Sequence, residues 1–548
     1  FAAHLPPRLP SSDLVPIPST KCKEVTLRQA VRTDGADRLR LATKVEIDKN
    51  IRLGAYGSAC SESEVPSGAI IVDAHVLYKL KHDGRETCRI AAMGNRLPSK
   101  GTSETYASVI SDAAKMFAIS AMQAHCEERG EALIMSDADV VGGFLNIQLN
   151  SPVPMYLRLP WALPHELAGQ CVLILGAIYG LQESNRLFSL EMSRVLVEDA
   201  GYTCSSVESQ LYVKFDACDK GLRSVVAVTV DDCLLLSNSS ALVKDATIAL
   251  TARFGPLTEN EESTVHTGLE FSRPSNGAIV VTQDSLIARA ASVVGVSHMP
   301  SVDFPSHIDF FKAIDDPDEC EAFDPILYSS LTGRLVQFLK TRHEVRPHIS
   351  FLCSYNAKPL EGHFRRAVHV LRYLASTPGM GCVFKSNGGA VVAFSDSAHG
   401  LFVDGKSSTG YALSFGHSNA PFLCCAKSQD DVALCPMTAE YYSAVGACSA
   451  IVHFRQLSTD LGWEVTSPTV LYMDNKTAIA LTTAPDICRR SKHINIRYHW
   501  IRELVSKRVI HTVYLSTTKM RANILTKCLS RPQFISERDS LFNRSALP

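Results

Sequence analysis

Six carboxylates stand out by type and placement. Asp231 and Asp232 are adjacent in "SVVAVTVDDCLLLSNS" (224–239), between two apolar runs that carry no charge. Val226, Val228 and Val230 fall on one face of an extended strand and Val225, Ala227 and Thr229 on the other, while Leu234 to Leu236 start a second strand. The acids are therefore predicted at the tip of a tight hairpin. A solvated Asp-Asp turn would account for them equally well. Charge-free flanks point instead to a buried hairpin whose tip meets a cleft, where like charges require a hard divalent cation such as Mg2+. That chemistry needs a third acid. The stretch "MSDADVVGGFLNIQL" (135–149) offers Asp139, delivered by an apolar strand to a bend that glycine permits, and Asp137 two residues earlier on the same strand face. Spacing alone leaves either as the ligand.

A second set lies C-terminally. Asp396 is read at the end of a strand in "AVVAFSDSAHG" (390–400), and Asp474 at the end of another in "TVLYMDNKTAIAL" (469–481). Between them Glu440 opens a helix whose Tyr441, Val445, Cys448 and Val452 are predicted to form one apolar stripe. Two strand-end acids and a helix Glu are what two-metal cleavage of a phosphodiester uses. Taken singly, Glu440 would suit a helix N-terminus and Asp474, before Asn475, a cap. Beyond them, Arg489, Arg490, Lys492, Arg497, Arg502, Lys507 and Arg508 face a single acid, Glu503, an excess that fits phosphates or a solvated helix face.

The elements that must position these groups belong to a chain of 548 residues, 46% hydrophobic and 20% charged with a net charge of −1, an ordinary globular composition for several domains. The 17 cysteines include no CxxC pair and no zinc spacing, and no secretory h-region opens the chain, so reduced thiols and an intracellular site are expected. No apolar run is long enough to span a bilayer. The first residue is Phe, which predicts a fragment or a processed product. "HEVRPH" (343–348) is not a zinc-protease motif, because its spacing is one residue too long and Pro347 interrupts it.

"DVVGGFLN" and "TVDD" resemble the two palm motifs of copia-type retrotransposon reverse transcriptases, Asp-Val-Lys-Thr-Ala-Phe-Leu-Asn and Tyr-Val-Asp-Asp. That alignment selects Asp139 and implies that Asp137 points away. The resemblance runs in order along the chain. "VLYKLKHDGRETCRIAAMG" (76–94) is similar to the fingers hairpin, "ETYASVI" to Glu-Thr-Phe-Ser-Pro-Val, and "AIYGLQESNRLF" to the Tyr-Gly-Leu segment. "LYSSLTGRLVQFL" and "HVLRYLASTPGMG" are similar to the region before ribonuclease H. Asp396, Glu440 and Asp474 then match the family's Asp-Ala-Asp, Ala-Glu-Tyr and Glu-Asp-Asn, accompanied by "GKSSTGY" and "RRSKHINIRYHWIRE".

The resemblance implies an α+β chain: fingers and palm over 25–255 after a disordered or linker segment (1–24), thumb and connection over 256–388, an α/β ribonuclease H-like domain over 389–530, and a tail from 531. It implies an RNA-directed DNA polymerase with ribonuclease H, using Mg2+ or Mn2+ on an RNA template, DNA primer, RNA–DNA hybrid and deoxynucleoside triphosphates. The site would be cytoplasmic, in a virus-like particle, or nuclear. Lys81 and Arg89 would contact the incoming triphosphate, Phe144 would gate the 2′-hydroxyl unless it is core, and Arg489, Arg490 and Lys492 would meet nucleic acid. Zinc-binding integrase, nucleocapsid and protease signatures are missing.

Departures accompany the matches. Thr229 replaces the motif Tyr, Gln182 and Asn185 replace the Lys and Pro of the Tyr-Gly-Leu segment, and Ala398 replaces the second Asp of Asp-Ala-Asp. Asn523 replaces the fourth nuclease carboxylate, where an amide oxygen can ligate a metal but brings no charge. Asn523→Asp is accordingly expected to raise hybrid cleavage. Two other readings compete with an active enzyme: a catalytically weak remnant that only binds nucleic acid, and a free-standing metal-dependent nuclease. The match before residue 250 argues against the latter.

Overall fold

The structure, a computed structural model, describes residues 24–27, 36–80, 85–96, 107–219, 221–260, 262, 264–275, 277–306, 310–385, 390–402, 404–484 and 496–544. Lys81, Arg489, Arg490 and Lys492 lie outside the described residues.

The alternating run around the paired acids folds as expected into a hairpin, and it forms the middle of a sheet. β1 (Ile134–Val140), β2 (Thr203–Cys204), β3 (Leu211–Phe215), β4 (Leu222–Thr229), β5 (Asp232–Ser237) and β6 (Leu257–Asn260) pair in the order β6-β1-β5-β4-β3-β2, antiparallel throughout. The two side-chain sets go to opposite cores. Val225, Ala227, Leu234 and Leu236 pack with helix α1 (Asp112–Glu128), and Val226, Val228, Cys233 and Leu235 pack with Phe188, Met192, Ala246 and Leu250 of two helices on the other face. A central strand buried on both faces needs apolar residues at every position, which is why no charge interrupts these runs.

N-terminal to this palm sheet stands a second six-stranded sheet in which Ile70–Leu80 pairs antiparallel with Glu86–Ala92. After this sheet come a four-stranded sheet and the helices Asp284–Val294, Pro325–Phe338, Arg346–Cys353 and Glu361–Ser376.

The C-terminal sheet contains β7 (Val391–Ala398), β8 (Ser408–Phe415), β9 (Pro421–Ser428), β10 (Thr469–Met473) and β11 (Ile510–Tyr514) in the order β9-β8-β7-β10-β11. The first three strands are antiparallel, and β7, β10 and β11 run parallel. Helix α2 (Pro436–Asp460) packs across β7 and β8. Its buried stripe is Tyr441, Ala444, Cys448, Ile451 and Phe454, whereas Val452 is exposed, so the predicted stripe was turned by about one residue at its C-terminal end. The segment expected as a tail is instead helix α3 (Arg531–Leu541), with Phe534 and Leu541 buried in the core of the connecting helices.

Palm and C-terminal sheet share a core. Phe117 of α1 meets Phe415, Phe422 and Phe454 at centroid distances of 5.4, 4.9 and 5.5 Å. Asp460, the last residue of α2, accepts hydrogen bonds from Ser205 Oγ (2.6 Å) and Ser206 N (2.8 Å) of the palm. Each cysteine among the described residues is a free thiol. No helix among them is long and apolar enough to cross a membrane.

Candidate active sites

The hairpin tip is a two-residue turn, Val230–Asp231, between β4 and β5. Val230 sits at φ 59°, a left-handed conformation that a β-branched residue adopts only under strain, and such strain concentrates at functional sites. The Asp231 carbonyl accepts from Val140 N at 3.1 Å, which ties the tip to the end of β1. Register then places Asp232 directly across from Asp139. Burial, followed by the charges of Asp231, Asp139 and Asp137, pushes the Asp232 carboxyl up to about 6. Asp139 is raised for the same reasons, burial first and then Asp231 and Asp137. Sequence-distant acids thus converge, and their mutual repulsion suits a divalent cation. Asp137 does not point away as expected: it shares the strand face, and its charge acts on both neighbours.

One residue here escaped the sequence reading. Lys115 of α1 has its side chain 2% exposed, with Nζ 3.0 Å from Asp112 Oδ1. It also donates to Thr229 Oγ1 (3.4 Å) and Thr267 Oγ1 (3.3 Å). Thr229, the residue that replaces the motif Tyr, therefore joins a buried cation to the strand that ends at the acids. Burial lowers the Lys115 ammonium, and Asp112 and Asp232 pull it back up. An Asp three residues before a Lys, at the start of an otherwise apolar helix, was the available signal.

Arg89 lies on the strand Glu86–Ala92 with its guanidinium 4.5 Å over the Tyr179 ring. Tyr179 in turn meets Phe144 at 5.5 Å. Phe144 is buried, 4.9 Å from Phe188, so its ring belongs to the core behind Tyr179, the alternative to a gate. Gln182 donates to the Gly94 carbonyl at 3.1 Å and so bridges to the fingers.

In the C-terminal domain, Asp396, Glu440 and Asp474 have carboxylate oxygens within 4.8 Å of one another, the one such group of acids, His or Cys among the described residues. Asp396 stands within β7, Asp474 directly follows β10, and Asn475 rather than Asp474 caps the next helix by accepting from Ala478 N at 3.0 Å. Glu440 Oε1 accepts from Ser397 N (3.0 Å) and Ser397 Oγ (2.9 Å), and Asp474 Oδ2 from Thr517 Oγ1 (2.8 Å). Asp396 Oδ2 accepts from Thr526 Oγ1 and lies 3.6 Å from Lys527 Nζ. Asp396 Oδ1 and Glu440 Oε2 are buried without any partner. Burial raises both carboxyls, with Asp396 and Asp474 adding to the rise at Glu440. Orphaned acceptors among packed acids fit a hard cation.

Asn523 is fully buried, and its Nδ2 donates to Glu537 Oε1 at 2.6 Å. An acid at 523 would meet Glu537 as a like charge, so the expected gain from Asn523→Asp alone does not follow from the structure.

Two acid-bearing sheets, one built around a hairpin and the other a mixed five-stranded sheet crossed by a long helix, make a mixed α+β fold that is consistent with polymerase and ribonuclease H-like domains. Residues 63–305 match the family described as reverse transcriptase (RNA-dependent DNA polymerase). The chain is 28% identical over 519 residues to a retrovirus-related Pol polyprotein from transposon RE2 of Arabidopsis thaliana, covering 92% of this chain and 34% of that one. It is 24% identical to the Pol polyprotein from transposon TNT 1-94 of Nicotiana tabacum, over 96% of this chain and 39% of that protein. The chain is thus similar to Pol polyproteins of these transposons and spans about a third of their length. The fold is similar to that of the foamy viral protease-reverse transcriptase solved with double-stranded DNA, with a TM-score of 0.51 and 12% identity over 88% of this chain and 70% of that one.

Proposed function

We propose that the chain copies RNA into DNA at the palm and cleaves the RNA strand of the resulting hybrid at the C-terminal site, as part of a longer retrotransposon polyprotein. The observation that carries this reading is the register that sets Asp232 across from Asp139 with Asp231 at the strained tip. Mg2+ or Mn2+ held by Asp139, Asp231 and Asp232, and by Asp396, Glu440 and Asp474, would activate the attacking oxygen and stabilise charge on the phosphate. The chain's own residues position the reactants. Arg89, stacked on Tyr179, offers a cation to the triphosphate, and the hairpin holds the acids beside the primer end. Lys81, Arg489, Arg490 and Lys492 complete the proposed phosphate contacts, and Phe144 supports Tyr179 from behind.

The partners are an RNA template, a DNA primer, the hybrid and deoxynucleoside triphosphates. The double-stranded DNA bound by the structurally similar foamy viral protein supports a nucleic-acid duplex as partner. Fingers and palm to about residue 255, a connecting region to about 388 and a ribonuclease H-like domain that includes α3 are the division we favour, in a cytoplasmic particle or the nucleus. Extension of oligo(dT) on poly(rA) with Mg2+ or Mn2+ tests the reading: synthesis by the native chain and none by Asp232→Asn supports it, and no synthesis by either overturns it. A second reading, nucleic-acid binding with weak turnover, is favoured at the nuclease site by Asn523, where the family has an acid. Tight hybrid binding without cleavage would establish it.

A further inference from the structure

The nuclease centre lacks a carboxylate at 523, yet an acid stands behind that position. Glu537 of α3 holds the Asn523 amide through Oε1 and also accepts from Gln533 Nε2 at 2.8 Å. Its other oxygen, Oε2, is buried with no partner. An amide beside a carboxylate must turn its NH2 toward it, which leaves the oxygen free on the far side. Asn523 Oδ1 is indeed buried and unpartnered, in a residue that is 0% exposed. The same turn of chain reaches the centre, because Thr526 Oγ1 donates to Asp396 Oδ2 and lies 3.0 Å from the Asn523 carbonyl oxygen.

We propose that Glu537 supplies the fourth negative charge of the Asp396, Glu440 and Asp474 centre, and that Asn523 is a positioning residue fixed by it, with Oδ1 left for a divalent cation or a water of its shell. This rests on the nuclease reading above. Amide oxygens are ordinary ligands of hard cations, and affinity in oxygen sites rises with the charge nearby. A charge one residue removed still acts there, because little water lies between buried groups to screen it. The pair is matched: an acid at 523 is tolerated only if 537 becomes a donor.

The test is Mn2+ binding, followed by electron paramagnetic resonance, to the full chain carrying Asp231→Asn and Asp232→Asn so that the palm is silent. The parent should bind Mn2+ and Asp474→Asn should lose it. Glu537→Gln should weaken binding by about tenfold through the lost charge, and Asn523→Asp with Glu537→Gln should return to within about threefold of the parent. Thermal melts in chelator establish that each variant is folded, and the double variant keeps the test valid if Glu537→Gln alone melts early. Unchanged affinity in Glu537→Gln, or a double variant no better than it, overturns the proposal. Equal binding by the parent and Asp474→Asn overturns the nuclease reading, and the proposal with it.

Discussion

The two acidic centres are built in opposite ways. In the palm, the acids stand on neighbouring strands at a half-exposed tip, and their carboxylates are not gathered within the 4.8 Å that encloses Asp396, Glu440 and Asp474. In the C-terminal domain, Asp396 and Glu440 are packed among hydroxyl and backbone donors, with two oxygens orphaned. A preassembled cluster draws its desolvation cost from the stability of the whole domain, whereas an open one leaves part of its assembly to the ligand. On the proposed reading the palm would admit a new nucleotide at each step, and the open arrangement suits such a cycle.

The largest effects should come from removing acids one site at a time. Asp139→Asn or Asp232→Asn should lower primer extension by about a thousandfold, since loss of a metal contact removes several kcal/mol of transition-state stabilisation. Hybrid cleavage by the same protein should be untouched, and Glu440→Gln should do the reverse. Asp137→Ala should lower extension by about tenfold at most, because it acts only through charge. If Asp137→Ala proves worse than Asp139→Ala, the ligand role moves to Asp137.

Lys115 offers a sharper cut. Lys115→Met leaves Asp112 with Lys340 alone and frees Thr229, and it should lower both the melting temperature and the extension rate, the latter by about tenfold if the strand end loosens. Adding Asp112→Asn together with Lys340→Met, which neutralises the whole cluster, should restore the melting temperature and leave the rate low. Recovery of both would reduce Lys115 to a packing element.

The smallest expected effect is on stability against pH. Asp232 has its folded value raised to about 6 from an ordinary 3.8, so the folded chain holds this proton more tightly than the unfolded one. The stability it contributes is complete below about pH 4 and is lost as the pH climbs through about 6. Asp139, Asp396 and Glu440 are raised too and carry the same sign. Mg2+ should therefore raise the melting temperature little at pH 5 and more at pH 7. A shift that is equal at both would mean that the ion binds elsewhere.

Much of this was legible in the sequence. Charge-free apolar runs on either side of Asp231 and Asp232 pointed to a buried hairpin, and the pairing of Asp232 with Asp139 completes what the like charges implied. Asp396 and Asp474 were legible because each follows an apolar run, and Glu440 because it opens an amphipathic helix. What stayed hidden depended on contacts between distant segments. Glu537 lies in "RPQFISERDSLF", where only Phe534, Leu541 and the early Pro532 hinted at a helix, and nothing local shows that it faces Asn523. Phe144 looked equally like wall or gate, and its burial against Phe188 and Tyr179 depends on segments distant in sequence. Lys115 appeared as one charge on an apolar helix, because its partners Thr229 and Thr267 lie more than a hundred positions away.

The aromatic knot of Phe117, Phe415, Phe422 and Phe454 bears on how such a chain can age. Even a chain that did not need RNA cleavage could not shed its C-terminal domain freely, because deleting it would bare the Phe117 face of α1 to water. Exchanging an acid of the C-terminal half would leave these ring contacts in place, whereas removing the rings would loosen the helix they brace. A worn nuclease on a well-kept scaffold is the fossil this architecture would leave.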